Sequence, residues 1–445
     1  MKEAIYSAIE RFDVIAECMG PLHIGSTSGS KDDVLIHPVS QRPFVQATGI
    51  AGALRAYYEK VFTETDAEEL FGIMKENDSE NASKIKITDG IFTSDVIMER
   101  RPHLSINPET GSCDSSEVLG TDKKSGHKYD MNYVGAGSRF IFSLYIFEKD
   151  EQYKERIVRC LSAMNSGEIQ IGAKKSSGCG ELCIKEASYI YFNLVNKEDR
   201  IKWYADTKPT EIIKLEANKS TYGYEIEVQA ETENEMLIRS IAVAGYGDDT
   251  PDTVNIQNSK KEYIIPGSSI KGVIRNRVEM ICNQLNLKED TVAHIFGKRK
   301  DDEADGISGN AKFSDTIVGT REENDIMPIR KRIKVDKFTG GAMDGKLFSS
   351  KNIHGRLCIK ISIIDDAYAD RSCALILFAL RDTANKMVSF GSSSSIGNGY
   401  LNVERVNVKA NNNEEIIMDF VNSKLQDQNG MFARIMSTLN ESEVI

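Results

Sequence analysis

The sequence predicts an α+β chain of two tandem ferredoxin-like domains, each carrying a glycine-rich loop. Three observations predict it. Sequence blocks recur about 220 residues apart, strand and helix patterns follow in the same order around both sets, and the composition is that of a soluble globular chain. The 445 residues are 40% hydrophobic and 28% charged, which excludes collagenous, coiled-coil and wholly disordered classes. No apolar run approaches the ~20 residues of a bilayer span, so no membrane partner is expected. The opening MKEAIYSAIERFDVIAE has acids where an export signal needs an apolar core. The eight cysteines form no CxxC pair, which points away from zinc and disulfides and toward a reducing cytoplasm.

The recurrence is specific. CMGPLHIGSTSGSKDDVLIHPVSQRPFVQATGIAGALR answers IAVAGYGDDTPDTVNIQNSKKEYIIPGSSIKGVIR, and a slide of 220 pairs Gly25 with Gly245, Asp32 with Asp252, Gly52 with Gly272 and Arg55 with Arg275. Phe71-Gly72 answers Phe296-Gly297, and Thr88-Asp89 answers Ser314-Asp315. SINPETG (105–111) answers KVDKFTG (334–340), and GAKKSSGCG (172–180) answers GSSSSIGNG (391–399). These blocks divide the chain into a first domain 1–200, a linker 201–217, a second domain 218–410 and a helical tail 411–445.

Each half then reads in order. An alternating strand comes first: FDVIAECM in one half, YEIEVQAE and LIRSIAV in the other. A polar, glycine-bearing loop and a short strand (RPFV, EYII) precede a helix. In the second half Ile270, Val273, Ile274, Val278, Ile281 and Leu285 fall on one helical face, with Pro266 as the stop before it and Ser268 and Ser269 as suitable caps. A second helix recurs, with Ile157, Val158 and Leu161 answering Ile376, Leu377 and Leu380. The glycine loop and a last strand (GELCIKEA, GYLNVERV) close each unit. This split strand–helix–strand order is also the plan of RNA-recognition modules.

Several residues suit a polyanion. A helix start has unpaired N–H groups and a partial positive charge. At the start of the second-half helix Gly267 allows close approach, Ser268 and Ser269 offer hydroxyls, and Lys271 and Arg275 lie one turn apart. The first half has Ala47, Thr48, Gly49 and Ala51 there and keeps only Arg55. In the glycine loops, Gly172, Gly178 and Gly180 with Lys174 and Lys175 make a basic turn, and Gly391, Ser395, Gly397 and Gly399 a serine-rich one. The alternative at each place is an ordinary capped helix or a flexible turn. With a net charge of −11, any nucleic-acid contact must come from such local features.

The helix-start block IIPGSSIKGVIRNRVE, the two glycine loops and the segment DKFTGGAMDGKLF (336–348) resemble the RAMP superfamily, the repeat-associated mysterious proteins that form RNA-binding subunits of CRISPR effector complexes. The resemblance is to backbone subunits of type III complexes, here in a tandem arrangement similar to type III-D. It implies guide crRNA, complementary target RNA and other effector subunits as partners. It implies thumb hairpins at 103–137 and 332–350 that insert between guide and target. Their wedge residues would be Tyr129, Met131 and Tyr133, or Phe338 and Met343, with Arg330, Lys331, Arg332, Lys334 and Lys337 on RNA. It also implies catalysis by Asp32 and Asp252, each 15 residues before its helix start. Those carboxylates would support target cleavage by the neighbouring ribose 2′-OH with Mg²⁺ or Mn²⁺, as metal ligands or as proton acceptors. Asp33, Asp248 and Asp249 lie near enough to take that role instead.

Rival readings are a non-catalytic crRNA scaffold and a crRNA-processing endonuclease that uses His23 or His37. Neither histidine recurs in the second half. A nucleotide-binding protein is a third, but no GxxxxGK[ST] motif is present. Trp203, the single tryptophan, reads as a packing residue. The exact subtype, subunit order and which copy cleaves are not legible.

Overall fold

Strands Ala8–Cys18 and Tyr222–Thr232 open the two copies; from Phe12 and from Tyr224 onward they alternate in and out, while the residues before are buried on both sides. The computed structural model describes residues 6–25, 33–73, 82–93, 95–104, 106, 115–117, 124–126, 128–148, 153–216, 222–240, 251–298, 306–319, 328–427 and 429–439. The chain forms two compact units. One contains residues 1–99, 132–175 and 179–220; the other contains 100–131, 176–178 and 221–445.

In the first unit the sheet runs Glu211–Ile212, Leu182–Asn193, Ala8–Cys18, Arg139–Glu148, Gly90–Phe92, Phe44–Val45, with Ile85–Ile87 also on Arg139–Glu148. All these pairings are antiparallel. Helices α1 (Ala47–Val61), α2 (Glu64–Phe71) and α3 (Lys154–Asn165) bury Ile50, Leu54, Leu70, Ile157 and Leu161 in the same core as Phe12, Val14, Phe142 and Leu144. The second sheet repeats the order as Ile264–Ile265, Thr316–Gly319, Arg356–Ile364, Tyr222–Thr232, Leu401–Ala410, with Ala311–Phe313 on Arg356–Ile364.

Two boundaries differ from the sequence reading. The segment taken as a linker contains the second half of helix α4 (Lys197–Tyr204) and strand Glu211–Ile212, which pairs with Leu182–Asn193 and so belongs to the first sheet. Trp203 packs edge-on against Phe192 and Tyr145, the packing role expected of it. The tail taken as helical first adds strands Glu415–Asp419 and Lys424–Asp427 to the second sheet, and only then forms helix α8 (Met431–Ser437). Polar residues at NNNEE hide that hairpin: Ile416 is its one fully buried side chain, so period-two alternation is weak there.

Helices α5 (Gly267–Leu285), α6 (Glu289–Phe296) and α7 (Ala369–Ala384) cover the second sheet. Ile270, Ile274, Val278 and Ile281 of α5 are buried as their spacing predicts, while Leu285 in the last turn is half exposed. The described cysteines are free, and no described helix is long and apolar enough to cross a membrane.

Candidate nucleic-acid interface

Each helix start is already occupied. Ala47 N–H donates to Asp89 Oδ1 at 2.7 Å, and Gly267 N–H donates to Asp315 Oδ1 at 2.8 Å. The aspartate comes from the turn after a short strand, the Thr88-Asp89 and Ser314-Asp315 blocks. A carboxylate there satisfies an orphan donor and complements the helix dipole. This corrects the sequence reading, which left these fronts open for phosphate. Gly267 has a packing reason too: a Cβ would lie 2.1 Å from Phe313 O. Ser268 and Ser269 remain half-buried beside it.

Arg55 and Arg275 share a structural role. Arg55 donates to Glu59 Oε1 at 2.7 Å and to Gly72 O at 3.2 Å. Arg275 donates to Glu279 Oε1 at 2.8 Å and to Gly297 O at 3.5 Å. Gly72 and Gly297 end α2 and α6 at φ 80° and 84°. The paired Phe-Gly and Arg blocks are therefore one device that ties two helices together, not a free phosphate clamp.

In the second unit Lys271 Nζ donates to Ser176 Oγ at 2.7 Å, and a Cβ on Gly178 would press on Phe313 O at 2.8 Å. Asp315 uses its other oxygen, Oδ2, to pair with Arg101 at 2.6 Å, with both side chains largely buried. Asp315 is thus helix cap and ion-pair partner at once, a role that the sequence analysis missed although the recurrence marked the position.

The loop glycines are fixed by their own chain. Gly172, Gly180, Gly391 and Gly399 have φ of 82–87°, and a Cβ on any of them would meet a carbonyl oxygen at 2.0–2.5 Å. Ala173 N–H donates to His23 O and Gly180 N–H to Pro21 O; Ser392 N–H donates to Leu237 O and Gly399 N–H to Glu235 O, all at 2.8–2.9 Å. These glycines clasp the segment that leaves the first strand, which corrects their reading as an open bed for a polyanion. The outer positions are different. Lys175 and Ser395 are exposed, Lys174 is half-buried, and Gly397 has open space around its missing Cβ.

Asp32 lies outside the described residues, as do Asp248 and Asp249. Asp252 is exposed, and its Oδ2 accepts from Ser349 N at 2.6 Å and Ser349 Oγ at 2.9 Å, while its own N–H donates to Ser349 Oγ at 2.9 Å. The Ser349 donors, backbone first, hold the carboxyl below its ordinary range. Oδ1 carries no hydrogen bond from a described residue. No three His, Cys, Asp or Glu side chains among the described residues converge to hold a metal. Asp252 Oδ1 can contribute one oxygen to a cation.

The described residues that follow Asp32 and Asp252 shift in backbone register between the two copies. Val34 bridges Gly25 where Asn255 bridges Arg239, an offset of 221. The offset falls to 220 only after a turn that is one residue longer in the first copy, between His37 and Arg42 against Asn258 and Glu262. Asp33 accepts from Asn132 Nδ2 at 2.8 Å. His23 is buried with its Nδ1 on Asn132 O, and the His37 Nδ1 accepts from Val39 and Ser40 N–H, so both are structural.

Strands Arg330–Val335 and Ala342–Lys351 form the predicted hairpin. Arg332 lies opposite Phe348, Ile333 opposite Leu347 and Val335 opposite Ala342. Pairing sets Arg330 and Arg332 on one face with Ser350 and Phe348, and Lys331 and Ile333 on the other with Ser349 and Leu347, before the register breaks between Ile333 and Val335, so both faces mix cationic and apolar side chains. At the tip, Asp336 Oδ1 accepts from Phe338 N, Thr339 N and Thr339 Oγ1 at 2.8–3.0 Å, which fixes the turn and leaves Phe338 98% exposed beside exposed Lys337. At the base a cavity of about 600 Å³ is lined by Glu233, Glu235, Arg330, Arg332, His354 and Asn398. In the first copy Met131 and Tyr133 are buried and cannot act as wedges, whereas Tyr129 is part-exposed and stacks on His103.

Two copies of one α/β module, each with a clasped glycine loop, define a tandem-repeat protein. The RAMP superfamily model matches residues 15–183 and 240–402, so the chain belongs to the RAMP superfamily. No curated protein sequence matches. A chain of a solved structure described as the type III-B Cmr-beta complex bound to cognate target RNA is similar at 18% identity and a TM-score of 0.31. The match covers 41% of this chain and 61% of that chain, so this protein spans less than two thirds of the relative's length.

Proposed function

We propose that the chain is a backbone subunit of a type III CRISPR effector that holds guide crRNA and presents complementary target RNA. The observation that carries this reading is the Arg330–Lys351 hairpin, in which exposed Lys331, Lys334 and Lys337 and half-buried Arg332 lead to a braced turn presenting Phe338. Such a ribbon suits phosphate contact through these cations and wedging or stacking at the tip. We read each sheet as ferredoxin-like, because the last strand, the first strand, the strand before the second helix and the strand after the first helix lie side by side in that order.

The loop tips favour other subunits as partners. In the second unit the tip Ser176–Gly178 rests on the start of α5 through Lys271. In the equivalent tip Ser395 and Ile396 are exposed, Ile396 at 55%, and Gly397 is half-buried. The reading gives that tip a seat on a neighbouring subunit in the cytoplasm.

Within this reading Asp252 supports cleavage of target RNA by its 2′-OH, with Oδ1 as the working oxygen. A Mg²⁺ or Mn²⁺ ion there would draw most of its ligands from RNA and water. The scaffold reading, without cleavage, is favoured by one observation: the Ser349 bonds give Asp252 a purely structural task. Purification of the tagged chain from its native operon, followed by sequencing of bound RNA, tests the class. Short repeat-derived RNAs with companion subunits are expected; their absence overturns it. Asp252→Ala in that complex separates the two readings by whether one set of target cuts disappears.

A further inference from the structure

The second unit has an open cleft where the first unit is sealed. In the first unit, Arg156 pairs with Asp66 at 3.2 Å, and Lys84 Nζ donates to Tyr153 OH at 3.1 Å and to Glu69. Lys84 also lies 5.6 Å from the Tyr153 ring centroid, and Tyr153 is 1% exposed. Tyr153 and Tyr368 are the caps of α3 and α7, which makes Arg371 the counterpart of Arg156. The α2 and α6 spans make Thr291 and His294 the counterparts of Asp66 and Glu69, and strands Ile85–Ile87 and Ala311–Phe313 make Asn310 that of Lys84.

Three sealing residues have therefore changed together. Arg371 donates to Thr438 O at 3.1 Å. Thr291 Oγ1 has no hydrogen-bond partner although Thr291 is 96% buried. The His294 ring lies flat on Tyr368, with centroids 3.9 Å apart and planes 11° apart, and Tyr368 is 39% exposed. What remains is a polar cavity of about 600 Å³.

We propose that this cleft receives the basic side chain of another polypeptide, an arginine or lysine head laid against Tyr368 in the place that Lys84 fills in the first unit. Asp290, Asp366 and Asp370 outnumber Lys288 and Arg371 in the lining, so the charge suits a cation and opposes a phosphate. No set of three metal-ligating side chains is present among the described residues, which disfavours an ion. The His294–Tyr368 stack leaves Tyr368 39% exposed beside these carboxylates, and a guanidinium can lie against an aromatic ring while reaching several carboxylates at once. The proposal is independent of RNA binding, because no residue of the hairpin or glycine loops takes part.

The test uses the full chain labelled with ¹³C at histidine Cε1. It has six histidines, and His294→Gln assigns the relevant signal. Acetyl-Gly-Arg-Gly-amide is expected to shift the His294 resonance with a Kd of about 1 mM. The glutamate analogue and AMP are expected to leave it in place. Rebuilding the seal with Asn310→Lys, alone and with Thr291→Asp and His294→Glu, should weaken the peptide at least ~10-fold; the glutamate variant is read by Tyr368 fluorination. No shift by the arginine peptide up to about 10 mM, an equal shift by the glutamate peptide or AMP, or unchanged binding by the Asn310→Lys chain would each overturn the proposal.

Discussion

Ser349 holds a single oxygen of Asp252 from two donors, its backbone N–H at 2.6 Å and its hydroxyl at 2.9 Å, and takes the Asp252 N–H in return. Strand Thr253–Val254 pairs in parallel with Ser350 and Lys351 immediately beyond. The carboxylate proposed for cleavage is thereby fastened to the base of the hairpin proposed to part the two RNA strands. Ser349→Ala should reduce cleavage at the Asp252-dependent position, and Ser349→Thr should restore most of it. Product mapping in the assembled complex decides the matter; equal activity in all three chains would detach the two features.

The same contact sets a pH dependence. The Asp252 carboxyl is held below its ordinary value, so its bonds to Ser349 stabilise the fold fully above the unfolded carboxylate range, near pH 4. That contribution is lost as pH falls through the depressed value. Asp336, held down by the Thr339 and Phe338 amides, acts in the same direction. Carboxyl NMR titration should find both midpoints low, and Ser349→Ala should raise that of Asp252 alone.

Asp89→Ala and Asp315→Ala should differ in cost. The first removes a helix cap, about 1 kcal/mol. The second also removes the Asp315 arm of the buried Arg101 pairing and should cost more. Urea melts of the two variants should show the larger loss in Asp315→Ala.

Gly180→Ala and Gly399→Ala should each destabilise by roughly 2–5 kcal/mol, since a left-handed backbone and a Cβ at 2.0–2.1 Å from a carbonyl act together. Gly397→Ala has open space and pays only for its φ of 88°, roughly 1–2 kcal/mol. Thermal melts that rank the three otherwise would contradict the clasp.

Phe338→Ala should leave stability within about 0.5 kcal/mol, because the side chain touches almost nothing. Loss of a stacked base would weaken RNA engagement by roughly 1–3 kcal/mol. Filter binding of the purified complex to target RNA checks this, with Val421→Ala, another exposed apolar site, as the control.

The duplication, the long strands and the apolar face of α5 were legible because period and recurrence are properties of the chain itself. The tasks of the recurrent residues were not. Asp315, Arg275 and Gly180 each recur, but their partners lie 48, 22 and 159 residues away (Gly267, Gly297, Pro21), and nothing local announces them. Recurrence marked positions that matter to the fold, and a resemblance to RNA-binding subunits drew them toward RNA. Phe338 was legible for the opposite reason: its turn is built by near neighbours.

The carboxylates of Asp89 and Asp315 have a consequence for traffic of charge. By plugging both helix fronts they withdraw the usual docking points for a strand of negative phosphates. Under the proposed function, a surplus of eleven acids leaves local clusters such as Lys331, Arg332, Lys334 and Lys337 to attract a nucleic acid. Overall acidity would then act as an orienting device, because it opposes arrivals elsewhere before any contact forms.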